Sequence, residues 1–249
     1  MNLENKPSNE RKLIYFIENS NYNNLQYHDQ GKELLTNPEI LVIPLNETDV
    51  FLDNYSIIED PYPYDGMVAT LSPYDNTKYS EITNANENFC LEKFMNIITL
   101  CHLIGARNVY IDQTDKNIDS KESNNDGGGN YKVIEAKINH KSTYLNEKID
   151  KMLLKTSFSG GECDYDGAMK FLRKKRLASD SILSNLVEMR NASNNKINSF
   201  THEVSLSNNS DRTNSILASI SLPMGGGKFK HSSKKISEKK YYLEITIKF

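Results

Sequence analysis

Three charged residues, Asp112, Glu135 and Lys137, have the types and spacing that metal-assisted hydrolysis uses. Glu135 and Lys137 are two positions apart in a predicted strand at 131–140, so their side chains leave the same face of the sheet. Asp112 ends a predicted strand at 107–112 and can join Glu135 in holding a divalent cation such as Mg²⁺, while Lys137 orients or activates a water molecule. These residues therefore predict a metal-dependent hydrolytic site on a helix-then-hairpin unit.

This arrangement resembles the PD-(D/E)xK nuclease pattern, in which a helix supplies a further acid before the hairpin. Glu92 holds the corresponding place in a helix predicted at 88–104. The resemblance covers residues 88–140 and implies a metal-dependent nuclease. It departs from the family pattern at Ile111, where the family has proline, and in the aspartate, which usually opens a strand. The charges of the second strand also fit a solvated face with cross-strand pairs, so both interpretations stay open.

Basic residues are concentrated in two places, and both indicate contact with an anionic partner. The first cluster, at the end of a predicted helix, comprises Arg173, Lys174, Lys175 and Arg176. The second, in the connection before the last predicted strand, comprises Lys228, Lys230, Lys234, Lys235, Lys239 and Lys240. Lys and Arg release counterions when they meet phosphates, so we expect a nucleic acid or an acidic protein as partner. Each cluster alone also fits a soluble surface, since basic residues suit the negative end of a helix dipole.

The overall charge limits this expectation to a local surface. The 249-residue chain has 30 Lys and Arg against 33 Asp and Glu, a formal net charge of -3, whereas dedicated nucleic-acid-binding domains are usually basic. The three cysteines are an odd number without a C-x-x-C pair, which argues against a disulfide framework or a zinc ribbon and favours buried thiols. With no secretory signal and no apolar run of about 18 residues, we expect a soluble cytoplasmic protein.

Helix and strand signals are intermixed without a regular alternation, which predicts an α+β fold with a mainly antiparallel sheet. The clearest helix, 88–104, has a wide apolar face and a narrow polar stripe that includes Lys93, so we expect it to be buried against the sheet. Further helices are predicted at 164–176 and 181–190. Residues 13–17 fit a strand or one helical turn. The other predicted strands are 40–44 with 51–58 as its partner, 107–112, 131–140, 200–206, and a terminal hairpin of 215–222 and 241–249.

Residues 1–12 are predicted to be disordered and 13–249 to form one α+β domain, with a point of subdivision near residue 160. Two Pro-Tyr-Asp triplets, at 63–65 and 73–75, are either ordinary turn residues in loops or a second contact surface. The function expected is a non-enzymatic binding or assembly component that contacts an anionic partner through the lysine-rich hairpin, without a cofactor. The alternatives are the metal-dependent nuclease and, third, a pore-forming protein whose hairpins refold into membrane strands.

Overall fold

The computed structural model describes residues 12–59, 62–115, 148–149, 158–192, 196–206 and 241–249. Helices and strands are intermixed here around two sheets, so the predicted α+β class is confirmed. Four of the six strand pairings among these residues are antiparallel, in line with the expected sheet type. None of the helices in the described part of the chain has the length and apolar character to cross a membrane.

Sheet A contains five strands in the spatial order β2–β1–β4–β5–β3. Their bounds are Leu13–Ile17 for β1, Ile40–Pro44 for β2, Ser56–Ile58 for β3, Val68–Leu71 for β4 and Lys78–Glu81 for β5. The pairs β1–β2 and β3–β5 are parallel, whereas β4 is antiparallel to both of its neighbours. Residues 51–58 therefore do not pair with 40–44 as predicted, because β3 lies at the opposite edge of the sheet, beside β5.

Both faces of sheet A are covered, which explains why β1 is a continuous apolar run. Leu13 and Tyr15 join one hydrophobic cluster with helices α1 and α2, whereas Ile14 and Phe16 join another around Phe51. These helices span Asn19–Leu25 for α1, Asp29–Thr36 for α2 and Thr48–Leu52 for α3, which carries Phe51. Sheet A is thus a packed layer that supports the loop between β4 and β5.

Helix α4, Ala85–Leu103, is the predicted central helix and begins three residues earlier than expected. It packs against sheet B, whose strands have the order β6–β8–β7. Their bounds are Asn108–Asp115 for β6, Ser199–Ser205 for β7 and Tyr241–Lys248 for β8. Leu243, Ile245 and Ile247 alternate into the core, while Glu244 and Lys248 are exposed, as expected for a strand with one covered face. The predicted strand 215–222 lies outside the described residues, and the partners observed for β8 are β6 and β7.

Two further helices complete the layer around α4: Tyr165–Lys174 is α5 and Ser181–Asn191 is α6. Both agree closely with the predicted bounds. Their apolar residues Ala168, Leu172, Leu183, Leu186 and Val187 are buried in the same cluster as α4 and sheet B. The two helices are joined by the short connection 175–180, and the predicted basic cluster 173–176 covers the end of α5 and the start of this connection.

Arg190, near the end of α6, is a buried cation that joins four segments of the chain. Its guanidinium donates hydrogen bonds to the carbonyl oxygens of Ile104, Gly161 and Ile197 at 3.3, 3.2 and 3.5 Å. It also lies over the ring of Phe249, 4.5 Å from the centroid, a favourable cation–π distance. Because Arg190 satisfies three backbone acceptors, it holds the end of α4 against the segments that flank α5 and β7.

Candidate anion-binding surface

The first basic cluster is carried by α5, whose start is fixed by a capping residue. The Asp164 carboxylate accepts a hydrogen bond from the backbone N–H of Gly167 at 2.9 Å, as an N-cap aspartate does. Ala168 and Leu172 are spaced one turn apart and are buried against α4. The opposite face of α5 is exposed, so the positions of these apolar residues decide which basic side chains reach solvent.

Four basic side chains are exposed on this face and just beyond the helix, and together they form the exposed basic cluster: Lys170, Arg173, Lys174 and Arg176. Within the described part of the chain, none of these side chains makes a hydrogen bond or salt bridge. Lys170 was not among the predicted binding residues. Its spacing of three and four residues from Arg173 and Lys174 places it on the same helical face, which is the signal that could have identified it.

Arg176 lies in a turn that ends α5. Its backbone N–H donates to the Arg173 carbonyl at 3.1 Å, and the N–H of Leu177 donates to the Leu172 carbonyl at 2.8 Å. This pair of bonds is a Schellman motif, which normally also joins two apolar residues across the turn. Leu177 and Leu172 are both buried in the same cluster. The turn therefore fixes the backbone of Arg176 while its side chain stays exposed.

Lys175, the remaining member of the predicted cluster, is bound within the molecule. Its ammonium donates to the Asp75 carboxylate at 3.0 Å, and the two side chains are only 18% and 22% exposed. Asp75 also accepts hydrogen bonds from the hydroxyl and backbone N–H of Thr77 at 2.8 and 3.1 Å. The neighbouring Tyr74 is buried in the core around α4. The second Pro-Tyr-Asp triplet is therefore part of the packing between sheet A and α5.

The Asp75 carboxylate makes the stability of the protein depend on pH between about 4 and 2. Burial opposes ionisation of Asp75, but hydrogen bonds from Lys175 and Thr77 outweigh it and lower its pKa from 3.8 to about 2. A carboxylate with a lowered pKa stabilises the folded state above its ordinary value, and this contribution is lost as the pH falls through the folded-state pKa. We expect a loss on the order of 2 kcal/mol in this interval, measured by urea unfolding at successive pH values.

The variant Asp75→Asn removes this charge with little change in shape. It should flatten the acid dependence between about pH 4 and 2 and lower the free energy of unfolding at pH 7 by about 1–3 kcal/mol. Asp29→Asn is the control, because Asp29 is fully exposed and its salt bridge to Lys32, at 3.6 Å, lies on the surface of α2. If the Asp75→Asn protein keeps the wild-type acid dependence, other carboxylates are responsible for that dependence and the prediction is wrong.

Lys93 and Asp180 fix the far end of the same connection. Asp180 caps α6, accepting from the Leu183 backbone N–H at 3.4 Å, and also accepts from the Lys93 ammonium at 2.9 Å. Lys93 donates in addition to the Ser205 carbonyl at 2.7 Å and is 8% exposed. Lys93 was predicted in the polar stripe of α4, and its burial is explained by these two acceptors. The exposed basic cluster therefore lies next to a firmly held connection.

Asp112, the first residue of the predicted metal site, lies inside β6 and not at its end. The strand continues to Asp115 because all eight of its residues pair with β8. In this register Glu244 is opposite both Asp112 and Glu203, so three acidic positions form one row across sheet B.

The other predicted nuclease residues are not brought together among the described residues. Glu92 accepts a hydrogen bond from the Ser72 hydroxyl at 2.5 Å and lies 3.8 Å from the Lys78 ammonium, so it faces the loop of sheet A. Glu135 and Lys137 lie outside the described residues. In the part of the chain that the structure describes, no group of three His, Cys, Asp or Glu side chains is arranged to hold a metal ion. The nuclease stays a prediction.

The second basic cluster also lies outside the described residues, which resume at Tyr241. It comprises Lys228, Lys230, Lys234, Lys235, Lys239 and Lys240. Its part in binding stays a prediction.

The cysteine thiols have the environment of structural groups. Cys90 and Cys101 are buried in the core of α4, as predicted, and burial raises the pKa of both thiols, that of Cys101 to about 12. Burial also raises the pKa of the half-buried Cys163 thiol. Because the thiolate is the nucleophile and the metal ligand, these shifts oppose thiol chemistry.

Comparison of the chain with protein-family models, with curated proteins and with solved structures finds no match.

Proposed function

We propose that this protein is a non-enzymatic binding or assembly component that contacts an anionic macromolecule, a nucleic acid or an acidic protein, through the exposed basic cluster. The observation that carries the proposal is that Lys170, Arg173, Lys174 and Arg176 are exposed together with no acidic partner among the described residues. The adjacent Lys175 differs because Asp75 neutralises it. The chain thus separates one internally paired cation from four that are available to a partner.

Repulsion within the exposed basic cluster is compatible with this proposal. The helix dipole stabilises Arg173 and Lys174 in the last turn of α5, but Lys170 lies three and four residues before them, and like charges at these spacings destabilise a helix by about 0.2–0.5 kcal/mol per pair. Contact with an anion removes this repulsion and releases counterions. The formal net charge of the chain is -3, so the cluster stands out locally and is not a consequence of a basic composition.

The proposal predicts that neutralising the helix face weakens binding. In the double variant Arg173→Gln with Lys174→Gln, we expect affinity for a fluorescent DNA duplex or for polyglutamate to fall about tenfold at about 50 mM salt. The slope of log K against log salt for the duplex should fall by about 2, one unit for each lost phosphate contact. Fluorescence anisotropy over a salt series measures both quantities.

The matched control is Lys32→Glu, which changes the net charge by the same amount at an exposed site on α2. It should leave the affinity within about twofold of wild type, because Lys32 lies on a different helix and is not part of the exposed basic cluster. Absence of binding to both polyanions at low salt would overturn the proposal. Cleavage of the duplex with Mg²⁺ or Mn²⁺ that is lost in Glu135→Ala would instead support the nuclease, and dye leakage from acidic liposomes would support the pore-forming alternative.

A further inference from the structure

Three acidic positions lie in one row on the outer face of sheet B. Glu244 on β8 is opposite Asp112 on β6 and Glu203 on β7. The chain neighbours of Glu244, Leu243 and Ile245, are buried in the core, so the row belongs to the face of the sheet that points away from α4. Glu203 and Glu244 are exposed. The outer face of sheet B therefore presents negative charge to solvent.

Tyr110 adds an exposed aromatic ring beside the acidic row. It lies two positions before Asp112 on β6 and is 53% exposed. The ammonium of Lys248 lies 5.2 Å from the centroid of this ring, so the ring is accessible to a cation. Tyrosine is enriched in protein–protein interfaces, and an arginine can stack on an aromatic ring. The outer face thus favours a protein partner that carries exposed cations.

The exposed basic cluster of α5 matches the acidic row in charge and in length. The row crosses three strands and so spans about 10 Å, twice the spacing of neighbouring strands. The cluster covers about 6 Å of the helix axis between Lys170 and Lys174, and Arg176 extends it past the end of α5. A copy of α5 laid across the three strands can therefore place its cations along the row.

Packing within the fold keeps the two charged faces apart. Leu172 on the buried side of α5 and Ile245 on the inner side of β8 belong to the same core. The exposed side of α5 and the outer side of sheet B both point away from this core, with α5 on the inner side of the sheet. One molecule therefore cannot pair the cluster with its own acidic row, whereas two molecules can.

We infer that the exposed basic cluster docks on the acidic row of a second copy of this chain, so that the protein assembles head to tail. This inference rests on the proposed function and names its anionic partner. Because the contact joins two different faces, a pair of copies still has one free face of each kind, and association continues beyond a dimer. Complementary charge fixes orientation more than it raises affinity, so the assembly is weak and sensitive to salt.

Sedimentation velocity of the full chain over a range of protein and salt concentrations tests the inference. At about 20 mM salt we expect the average mass to rise with protein concentration past that of a dimer. The dissociation constant of each contact should be on the order of 100 μM. At about 500 mM salt it should be at least about tenfold higher, because salt screens exposed charges.

Two charge-reversal variants identify the faces that meet. The helix variant carries Lys170→Glu, Arg173→Glu and Lys174→Glu, and the sheet variant carries Glu203→Lys and Glu244→Lys. Each variant alone has like charges on both faces, so its self-association should weaken at least about tenfold at about 20 mM salt. An equal mixture should associate within about threefold of the wild type, because the acidic helix of one variant meets the basic sheet of the other. Circular dichroism verifies that both variants are folded, and mixing would not restore association to misfolded proteins.

Lys32→Glu and Asp29→Lys are the controls, because they reverse the charges of an exposed pair on α2. Each should leave self-association within about twofold of the wild type. A tenfold change in either control would mean that net charge, and not the two faces, governs association, which would overturn the inference.

The outcomes are distinguishable from those of the proposed function. A wild type that stays monomeric at low salt but binds polyglutamate or the DNA duplex would overturn the inference and leave the proposed function standing, and binding of the duplex alone would make nucleic acid the partner. Self-association that both reversal variants retain, or that their mixture does not restore, would also overturn the inference. Absence of self-association and of polyanion binding would overturn both.

Discussion

Replacing Arg190 by methionine is expected to lower the free energy of unfolding by about 4 kcal/mol. The guanidinium satisfies the carbonyl oxygens of Ile104, Gly161 and Ile197, and methionine can reach none of them with a donor. The bond to Ile104 is buried and those to Gly161 and Ile197 are partly buried. A buried acceptor left without a partner costs about 1–3 kcal/mol, and the contact with Phe249 is lost as well. Urea unfolding monitored by circular dichroism gives the change in midpoint and slope.

Two variants show whether the effect comes from the geometry of the guanidinium. Arg190→Lys keeps a charge but cannot serve three separated acceptors, so it should recover less than half of the loss. Arg173→Met changes an exposed arginine in the same way and should alter stability by no more than about 0.5 kcal/mol. A loss below about 1 kcal/mol for Arg190→Met would mean that water replaces the guanidinium at these carbonyls.

The second large effect is expected for Lys93→Met, with a loss of about 3 kcal/mol. This substitution leaves the Asp180 carboxylate and the Ser205 carbonyl without the ammonium that both accept from. Asp180 would still cap α6, but its carboxylate, whose side chain is 19% exposed, would lose its ion pair. The measurement is again the free energy of unfolding, taken at pH 7 and at low and high salt.

A double-mutant cycle isolates this pair from its surroundings. Lys93→Met combined with Asp180→Asn removes both charges and should be less destabilised than the sum of the single variants by at least about 1 kcal/mol. Lys32→Met is the control, since Lys32 pairs with Asp29 on an exposed surface and such pairs contribute at most about 0.5 kcal/mol. Additive losses for Lys93 and Asp180 would show that the ammonium acts mainly on the Ser205 carbonyl.

The elements predicted correctly are those whose signal is local. The apolar face of α4 and the Gly105 that follows it predict nearly the whole central helix, and Asp180 predicts the start of α6. The alternation of β8 predicts its buried face. In each case the residues that decide the structure lie within one element, so a single stretch of sequence carries the information.

The elements that were not predicted depend on distant partners. Helix α1 consists of Asn, Ser and Tyr with one buried leucine, Leu25, and forms against sheet A rather than from its own propensity. β4 and β5 have four residues each and little pattern of their own. β3 was assigned to the wrong partner because strand pairing is a property of the whole sheet.

The candidate site shows the same division. The basic residues at the end of α5 are visible in the sequence, because four of them are consecutive. The partner of Lys175 cannot be identified from the sequence, since Asp75 lies 100 positions away in a loop whose residues are typical of an ordinary turn. The burial of Lys93 likewise depends on Asp180, 87 positions away. Sequence alone therefore identifies the charges but not which of them are neutralised inside the fold.

β8 is the central strand of sheet B, and this position affects the order in which the strands pair during folding. In sheet A, paired residues are at most 57 positions apart, whereas Asn108 and Lys248, paired between β6 and β8, are 140 positions apart. The entropy lost on closing a loop rises with its length, and contacts of long sequence separation form slowly. The hydrogen bond from Lys93 to Ser205 joins residues 112 positions apart, about twice the longest separation in sheet A. We therefore expect this support of the exposed basic cluster to form after the strands of sheet A have paired.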